Sequence, residues 1–176
     1  MNKSFKKLEK SEKSIFITQP ETVEELIQRK KTALEVAEGK FRESGGKIET
    51  VMQTGEAFGR GLFEEYLKED IEEMENCTLE DWVKPVVKKI FNPLGTGATF
   101  TNVSEDTIES IIFRYENVEE IDHEMETLFH YGFLRGLFRS VFPDGEISIE
   151  SCMADGSPLD RFTFKAITSN KKIKEL

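Results

Sequence analysis

The sequence has 176 residues, a length typical of one compact domain. Apolar residues make up 38% of the chain and charged residues 33%, which excludes both an integral membrane protein and a disordered polyelectrolyte. The formal charge of −10 at pH 7 argues against binding to nucleic acid or to anionic membrane surfaces. Because 14 residues are phenylalanines, most of the aromatic bulk carries no polar group and suits an apolar core or cavity.

The N-terminal segment differs from the rest of the chain in charge. Residues 1–20 hold five lysines and two glutamates with little periodicity, so we expect a basic mobile tail, either a tether to an acidic partner or a solubilising leader. The segment lacks the apolar stretch of a secretory signal, and no run of 18 apolar residues exists to span a bilayer. We therefore expect a cytoplasmic protein without membrane insertion, with Cys77 and Cys152 as reduced thiols.

Four apolar patterns at helical spacing predict α-helices. They cover residues 21–46, 48–67, 78–90 and 125–142. The first should end at Gly45 and Gly46, and a capping box at residues 78–81 should start the third. Pro85 should kink that third helix or mark a restart in it. The fourth is apolar on nearly all sides, so we expect it to lie centrally.

Later segments rich in β-branched and aromatic residues predict strands. They lie at residues 98–103, 107–115, 146–152 and 161–166. Consecutive segments pair into two hairpins. The sequence therefore predicts an α+β domain, in which an antiparallel sheet of about four strands is packed with long helices.

Two of the predicted helices carry glycines four residues apart. The glycines are Gly55, Gly59, Gly132 and Gly136. Because a glycine costs an isolated helix about 1 kcal/mol relative to alanine, the four positions need a reason in packing or access. We expect close packing of the two helices. The alternative is space for a ligand beside Phe58, Phe129 and Phe133, and close packing can itself create such a space.

Other candidate sites have simpler explanations. His123 and His130, if helical, are separated by about 10 Å along the axis, too far to share one metal ion, so we expect burial or a surface role. The acidic residues at 64–75 lack the spacing of a calcium loop and predict a solvated helix face. No serine, histidine and acid form a recognisable catalytic motif.

Several motifs follow one another in a fixed order. They are the glycine-containing stretches at 55–61 and 131–137, the turn at 94–97, the first hairpin, and the segment 152–156 followed by Phe162. Together they resemble the 4-vinyl reductase domain family. The resemblance implies a fold shared with subunits of the transport protein particle and related to haem-based nitric oxide sensors, used as a small-molecule-binding or dimerising module. It divides the chain into a tail at 1–20, a helix at 21–46, the domain at 47–167 and a tail at 168–176.

The same resemblance directs attention to metal ligands. Several family members bind zinc through a glutamate and three cysteines. The glutamate position here holds Ile149, with Glu150 one residue out of register, the next two positions hold Cys152 and Asp160, and Thr127 falls near the remaining cysteine position. One thiolate and one carboxylate make a poor zinc site. We therefore expect no cofactor, with Cys152 and Asp160 as the weak metal candidates, and we find no proximal-histidine pattern for haem.

The expected function is binding of a small hydrophobic or aromatic molecule by a homodimeric module, in regulation or ligand presentation. The expected pocket residues are Phe58, Phe129, Phe133 and Leu137, with His130, Tyr131 or Arg135 as a polar anchor. One alternative is an enzyme or accessory protein of pigment or small-molecule metabolism, for which Cys152 and His130 are the candidate pair. The other is a structural interaction subunit, which predicts a filled core and an exposed apolar patch.

Overall fold

The computed structural model describes residues 23–95, 97–103, 107–114, 123–152, 155–157 and 160–166. For residues 97–99, 101–103, 107–114 and 123, the description covers the backbone alone. The two expected tails, at 1–20 and 168–176, lie outside the described residues.

The N-terminal half is an antiparallel pair of helices. Helix α1 spans Val23–Glu43, and helix α2 spans Ile48–Leu62. The connection uses Gly45 and Gly46, whose φ angles of 74° and 89° are in the left-handed region that glycine adopts without strain. The Gly46 N–H donates to the carbonyl of Phe41 at 2.9 Å, so the predicted end of the first helix is confirmed.

Two helices change their winding before they end. Helix α2 passes into a π-helical turn at Phe63–Leu67 and then into the short helix α3, Lys68–Glu72. Helix α4, Leu79–Val86, passes into a second π-helical turn at Val87–Phe91. The second change follows Pro85, which has no N–H to donate to the carbonyl one turn back. The break expected at this proline is therefore a π-helical turn in a continuous helix.

The start of α4 follows the predicted capping box. The Asp81 N–H donates to Thr78 Oγ1 at 3.2 Å, and the Thr78 N–H donates to Asp81 Oδ2 at 3.1 Å. The two bonds satisfy backbone donors that the first turn of a helix leaves open. The Thr78 hydroxyl also donates to Asp81 Oδ2 at 2.7 Å, and this bond, followed by the one from the Thr78 N–H, holds the pKa of the exposed Asp81 carboxyl below its ordinary value.

The strands form one antiparallel sheet, which confirms the α+β class. Its strands are β1 (Gly97–Val103), β2 (Thr107–Arg114), β3 (Glu146–Ser151) and β4 (Asp160–Lys165), in the spatial order β1-β2-β4-β3. The predicted hairpins are the pairs β1–β2 and β3–β4. In β4, Phe162 and Phe164 are buried while Arg161 and Lys165 are exposed, so one face of the sheet meets the core.

Helix α5, His123–Arg139, supplies the centre of the domain. It packs along α2, and its Phe138 ring lies 5.1 Å from the ring of Phe164 on the sheet. Helix α4 covers the same region of the sheet, with the Trp82 ring 5.8 Å from Phe164. The core therefore lies between the sheet and the helices α2, α4 and α5.

Candidate functional site

The glycines of α2 and α5 lie where the two helices touch. A Cβ added to Gly55 would collide with the carbonyl oxygen of Phe129, and one added to Gly132 would collide with that of Met52. Gly59 and Gly136 are in the same position one turn further along, against Phe133 and Glu56. Gly55 meets Phe129, and Gly59, one turn later on α2, meets Phe133, one turn later on α5, so the two helices run parallel. Their backbones are in direct contact, which accounts for glycine at all four positions.

The expected pocket residues surround this helix contact. Phe129 and Leu137 have no exposed surface, and Phe133 is 1% exposed. Phe58 on α2 is only partly buried, and its ring lies 5.9 Å from Phe129 and 5.5 Å from Phe133. The structure thus brings together the three phenylalanines, in tight contact. A ligand beside them needs side chains to move.

These rings continue into a larger aromatic cluster. Phe133 lies 6.2 Å from Phe91, and Phe91 stacks on Phe100 at 6.0 Å. Phe100 in turn meets Trp82 edge-on at 6.3 Å. An unbroken series of aromatic contacts therefore runs from the partly exposed Phe58 to the interior between α4 and the sheet.

The three candidate polar anchors all have partners within the protein. The Tyr131 hydroxyl donates to the carbonyl of Ile147 on β3 at 3.3 Å. Arg135 Nε donates to Glu56 Oε2 at 2.5 Å, and its guanidinium lies 5.5 Å from the centre of the Tyr131 ring. These contacts tie α5 to β3 and to α2. They give both side chains a structural role in the described residues.

His130, the third candidate, belongs to a buried polar group between α1 and α5. No local pattern in the sequence indicates its neighbours. Lys30 Nζ lies 4.0 Å from Glu126 Oε1, and both side chains are largely buried. Burial lowers the pKa of Lys30, and the Glu126 carboxylate opposes that shift. Burial also holds the pKa of His130 well below its ordinary value, with a further contribution from the Lys30 charge. His130 is therefore neutral at physiological pH.

The weak metal candidates are engaged in other contacts. Cys152 Sγ donates to Asp155 Oδ2 at 3.0 Å, and this bond, more than burial, raises the pKa of the thiol. Asp160 is fully buried and accepts a hydrogen bond from the Thr127 hydroxyl, at 3.0 and 3.2 Å to its two oxygens. Thr127 and Asp160 are two of the positions compared above with zinc ligands. No group of three or more potential ligands occurs among the described residues.

Neither cysteine is activated as a nucleophile. The pKa of Cys77 is raised to about 11, first by burial and then by the nearby Asp81 carboxylate. Cys152 faces an acid, and acids stabilise the unreactive thiol. The described contacts therefore supply no basic partner for the Cys152 chemistry that the enzyme alternative requires.

Comparison with known proteins shows the fold. No family model matches the chain, and no curated protein matches it. Among solved structures, a trafficking protein particle complex subunit 3 from Naegleria fowleri, covalently bound to palmitic acid, aligns with a TM-score of 0.55 at 16% identity, covering 79% of this chain and 97% of that one. An H-NOX protein from S. oneidensis in the Fe(II)NO ligation state aligns with a TM-score of 0.53 at 10% identity, covering 77% and 74%. The NMR structure of an H-NOX domain from Shewanella oneidensis in the Fe(II)CO ligation state gives the same values.

These alignments confirm the trafficking-particle-like and H-NOX-like fold that the sequence resemblance implied. The finer resemblance, to the 4-vinyl reductase domain family, has no support from a family model. At these identities the alignments establish fold and leave function open.

The haem-based sensors named in the sequence resemblance raise the question of whether the residues here fit a haem. His130 is the histidine whose side chain the structure describes, and it has no exposed surface. The ring is enclosed by Phe129 and Phe133, at 6.2 and 6.4 Å between ring centres, and by the buried Lys30 charge, which would repel a haem iron. The described residues around His130 therefore do not fit a haem.

In the part of the chain that the structure describes, no helix is both long enough and apolar enough to cross a membrane.

Proposed function

We propose that the domain binds a small hydrophobic or aromatic molecule in its aromatic interior, entering beside Phe58. The observation that carries the proposal is the contact of the partly exposed Phe58 ring with two rings on α5, at 5.5 Å to Phe133 and 5.9 Å to Phe129. Apolar surface therefore reaches from solvent into the core at this point. Ligand pockets are mostly apolar with a few polar groups, and this region has that composition.

The way in which the core is built supports the proposal. Phe63 and Phe91 are buried on the two π-helical turns, and such turns are frequent at functional sites. A pair of phenylalanine rings at this separation contributes only about 0.5–1.5 kcal/mol beyond its buried area, so an aromatic or apolar ligand can replace some of these contacts. The solved structures add that one protein of this fold is covalently bound to palmitic acid.

Binding would couple to the rest of the domain through the helix contact. Phe129 and Phe133 lie on the stretch of α5 whose backbone touches Gly55 and Gly59. A ligand that moves these rings therefore changes how α2 and α5 pack, which is the mechanism we propose for a regulatory or ligand-presenting module. We also propose that the module works as a homodimer.

A titration with palmitic acid and with naphthalene, a linear and an aromatic probe, tests the proposal. The chain has one tryptophan, Trp82, within the aromatic cluster, so its fluorescence reports binding. Phe58→Ala should weaken binding by about ten-fold, because a buried aromatic contact is lost.

The control is Phe142→Ala. Phe142 is also partly buried, and its ring lies 5.0 Å from that of Phe138, away from the proposed entry. Phe142→Ala should leave the affinity within about two-fold of that of the unaltered protein. Equal loss in both variants would assign the effect to general destabilisation and contradict the proposed location.

A second candidate function is that of an interaction subunit. Val23 and Ile27 lie one turn apart on α1 and are 48% and 46% exposed, and the aligned trafficking-particle subunit is covered over 97% of its length. Exposed apolar residues of this kind mark partner surfaces when they are contiguous. Sedimentation analysis of Ile27→Glu tests this candidate, because loss of self-association would place the contact on α1.

A further inference from the structure

The indole N–H of Trp82 is a buried donor without an acceptor among the described residues. Trp82 has no exposed surface, and no hydrogen-bond partner from the described part of the chain lies within reach of its Nε1 atom. Leaving a buried donor unpaired costs about 1–3 kcal/mol, and buried tryptophan nitrogens usually find a partner. Such an atom in a folded core needs an explanation.

The surroundings of the ring show what kind of molecule could pair with it. Three aromatic rings meet Trp82, those of Phe138 at 5.3 Å, Phe164 at 5.8 Å and Phe100 at 6.3 Å. None of the three carries an oxygen or nitrogen on its side chain. A partner for the N–H must therefore bring its own acceptor atom into an apolar environment, where the hydrogen bond is stronger than in water.

The position of Trp82 connects this donor to the proposed entry. The aromatic contacts lead from Phe58 through Phe133 and Phe91 to Phe100, and Phe100 touches Trp82. A ligand that enters beside Phe58 and displaces these rings thus approaches the indole. Trp82 also lies four residues after the capped start of α4, where the helix is fixed by the Thr78–Asp81 bonds. The donor is held in place before a ligand arrives.

We propose that Trp82 Nε1–H is the polar anchor of the ligand site, and that the ligand class is an apolar molecule carrying one hydrogen-bond acceptor, such as a carbonyl oxygen. This inference rests on the proposed function and deepens it. It replaces His130, Tyr131 and Arg135 as the specificity-determining group, because Tyr131 and Arg135 bond to other parts of the protein and His130 is enclosed with Lys30 and Glu126.

The test compares two ligands of nearly equal shape, acetophenone and ethylbenzene, which differ in the carbonyl oxygen. Calorimetric titration of the full chain and of Trp82→Phe gives four dissociation constants. The Trp82→Phe variant keeps an aromatic ring and removes the donor. The preference for acetophenone over ethylbenzene should fall by about ten-fold in the variant, which is the size expected for one hydrogen bond.

A measurement on the unaltered protein covers the case in which Trp82→Phe does not fold. Because the chain has one tryptophan, a ¹⁵N-labelled sample gives one indole N–H resonance. Acetophenone should move that resonance downfield, whereas ethylbenzene should not. Equal displacement by both ligands would overturn the anchor role.

The outcomes separate the two proposals. If both ligands bind, and their affinity ratio is the same with and without the indole N–H, the anchor role is wrong and the proposed function stands. If palmitic acid or naphthalene binds the full chain and acetophenone does not, the anchor role is wrong and the proposed function stands. If none of these ligands binds, the proposed function fails and the anchor role fails with it. A downfield indole shift without any ligand, typical of an internal water or protein acceptor, would also overturn the anchor role.

Discussion

Gly132 of α5 lies directly against the backbone carbonyl oxygen of Met52 on α2, with no space for a Cβ between them. Gly55 has the reciprocal relationship with the carbonyl of Phe129. Two parallel helices are therefore joined through backbone on both sides of the contact. The aromatic interior lies beside this contact, so its geometry depends on it.

Gly132→Ala should destabilise the domain. The added methyl group would meet backbone atoms of Met52, which cannot move aside as a flexible side chain can, and overpacking of this kind costs about 1–3 kcal/mol. Urea unfolding followed by circular dichroism measures the change in the free energy of unfolding.

Gly61→Ala is the matched control for that experiment. Gly61 is likewise inside a helix, α2, but a Cβ there meets nothing within 4 Å. The substitution should raise stability by about 0.5–1 kcal/mol through helix propensity alone. If Gly132→Ala were as stable as Gly61→Ala, the close contact of α2 with α5 would be disproved.

Thr127→Val should cost about 1–3 kcal/mol, because it removes the hydroxyl that donates to the buried Asp160 carboxylate. Thr127→Ser keeps the hydroxyl and should cost less. The midpoints of thermal unfolding rank the two variants. A serine variant less stable than the valine variant would show that the methyl group, rather than the hydrogen bond, matters at this position.

Stability should fall as the pH drops below 6.5, because burial holds the pKa of His130 well below its unfolded value. The unfolded chain then takes up a proton that the folded chain does not, and the free energy of unfolding declines by about 1.4 kcal/mol per pH unit. The buried Lys30 and Glu126 face the same region, and the Lys30 charge adds to the effect. Urea unfolding between pH 5 and 7 measures the slope, which should be smaller in His130→Gln; an unchanged slope would remove His130 as its cause.

Helix α1 should open more readily than α5. Leu26 and Ala37 are the buried members of its 21 residues, whereas most of the described side chains of α5 are buried. Amide hydrogen exchange tracks this difference, since local openings involve segments with little buried apolar surface. Residues 23–43 should exchange at least ten-fold faster than residues 123–139, and equal rates would show that the helices unfold as one unit.

Reversing the charge of Arg29 gives a finer test of α1. Arg29 donates to both oxygens of Glu65 at 2.8 and 3.0 Å. Arg29→Glu should therefore speed exchange across α1 by about three-fold, and the double variant Arg29→Glu with Glu65→Arg should restore the original rate. No restoration would mean that the ion pair does not hold α1.

Local sequence signals predicted much of the fold. The spacing of apolar residues predicted the helices, and the alternation of apolar and polar residues predicted the strands to within about one residue at each end. The pair Thr78 and Asp81 identified the capping box. These features depend on residues close together in the chain. The glycine spacing likewise identified both helices of the central contact.

Features that depend on distant residues were not predictable. Lys30 contacts Glu126, which is 96 residues further along the chain, and Thr127 contacts Asp160, which is 33 residues further. The sequence near each of these residues does not indicate its partner. The π-helical turn after Pro85 had a local cause, but the turn at Phe63–Leu67 contains no proline and no comparable signal. The unpaired Trp82 nitrogen is likewise a property of the packed core alone.

The most direct test of the central claim is native mass spectrometry of the full chain, purified from its own cells and then incubated with palmitic acid. We expect a retained or added small molecule at one copy per chain, and the same spectrum reports whether the chain is a dimer. A spectrum of protein without any adduct before and after incubation would contradict the claim that this domain binds an apolar ligand.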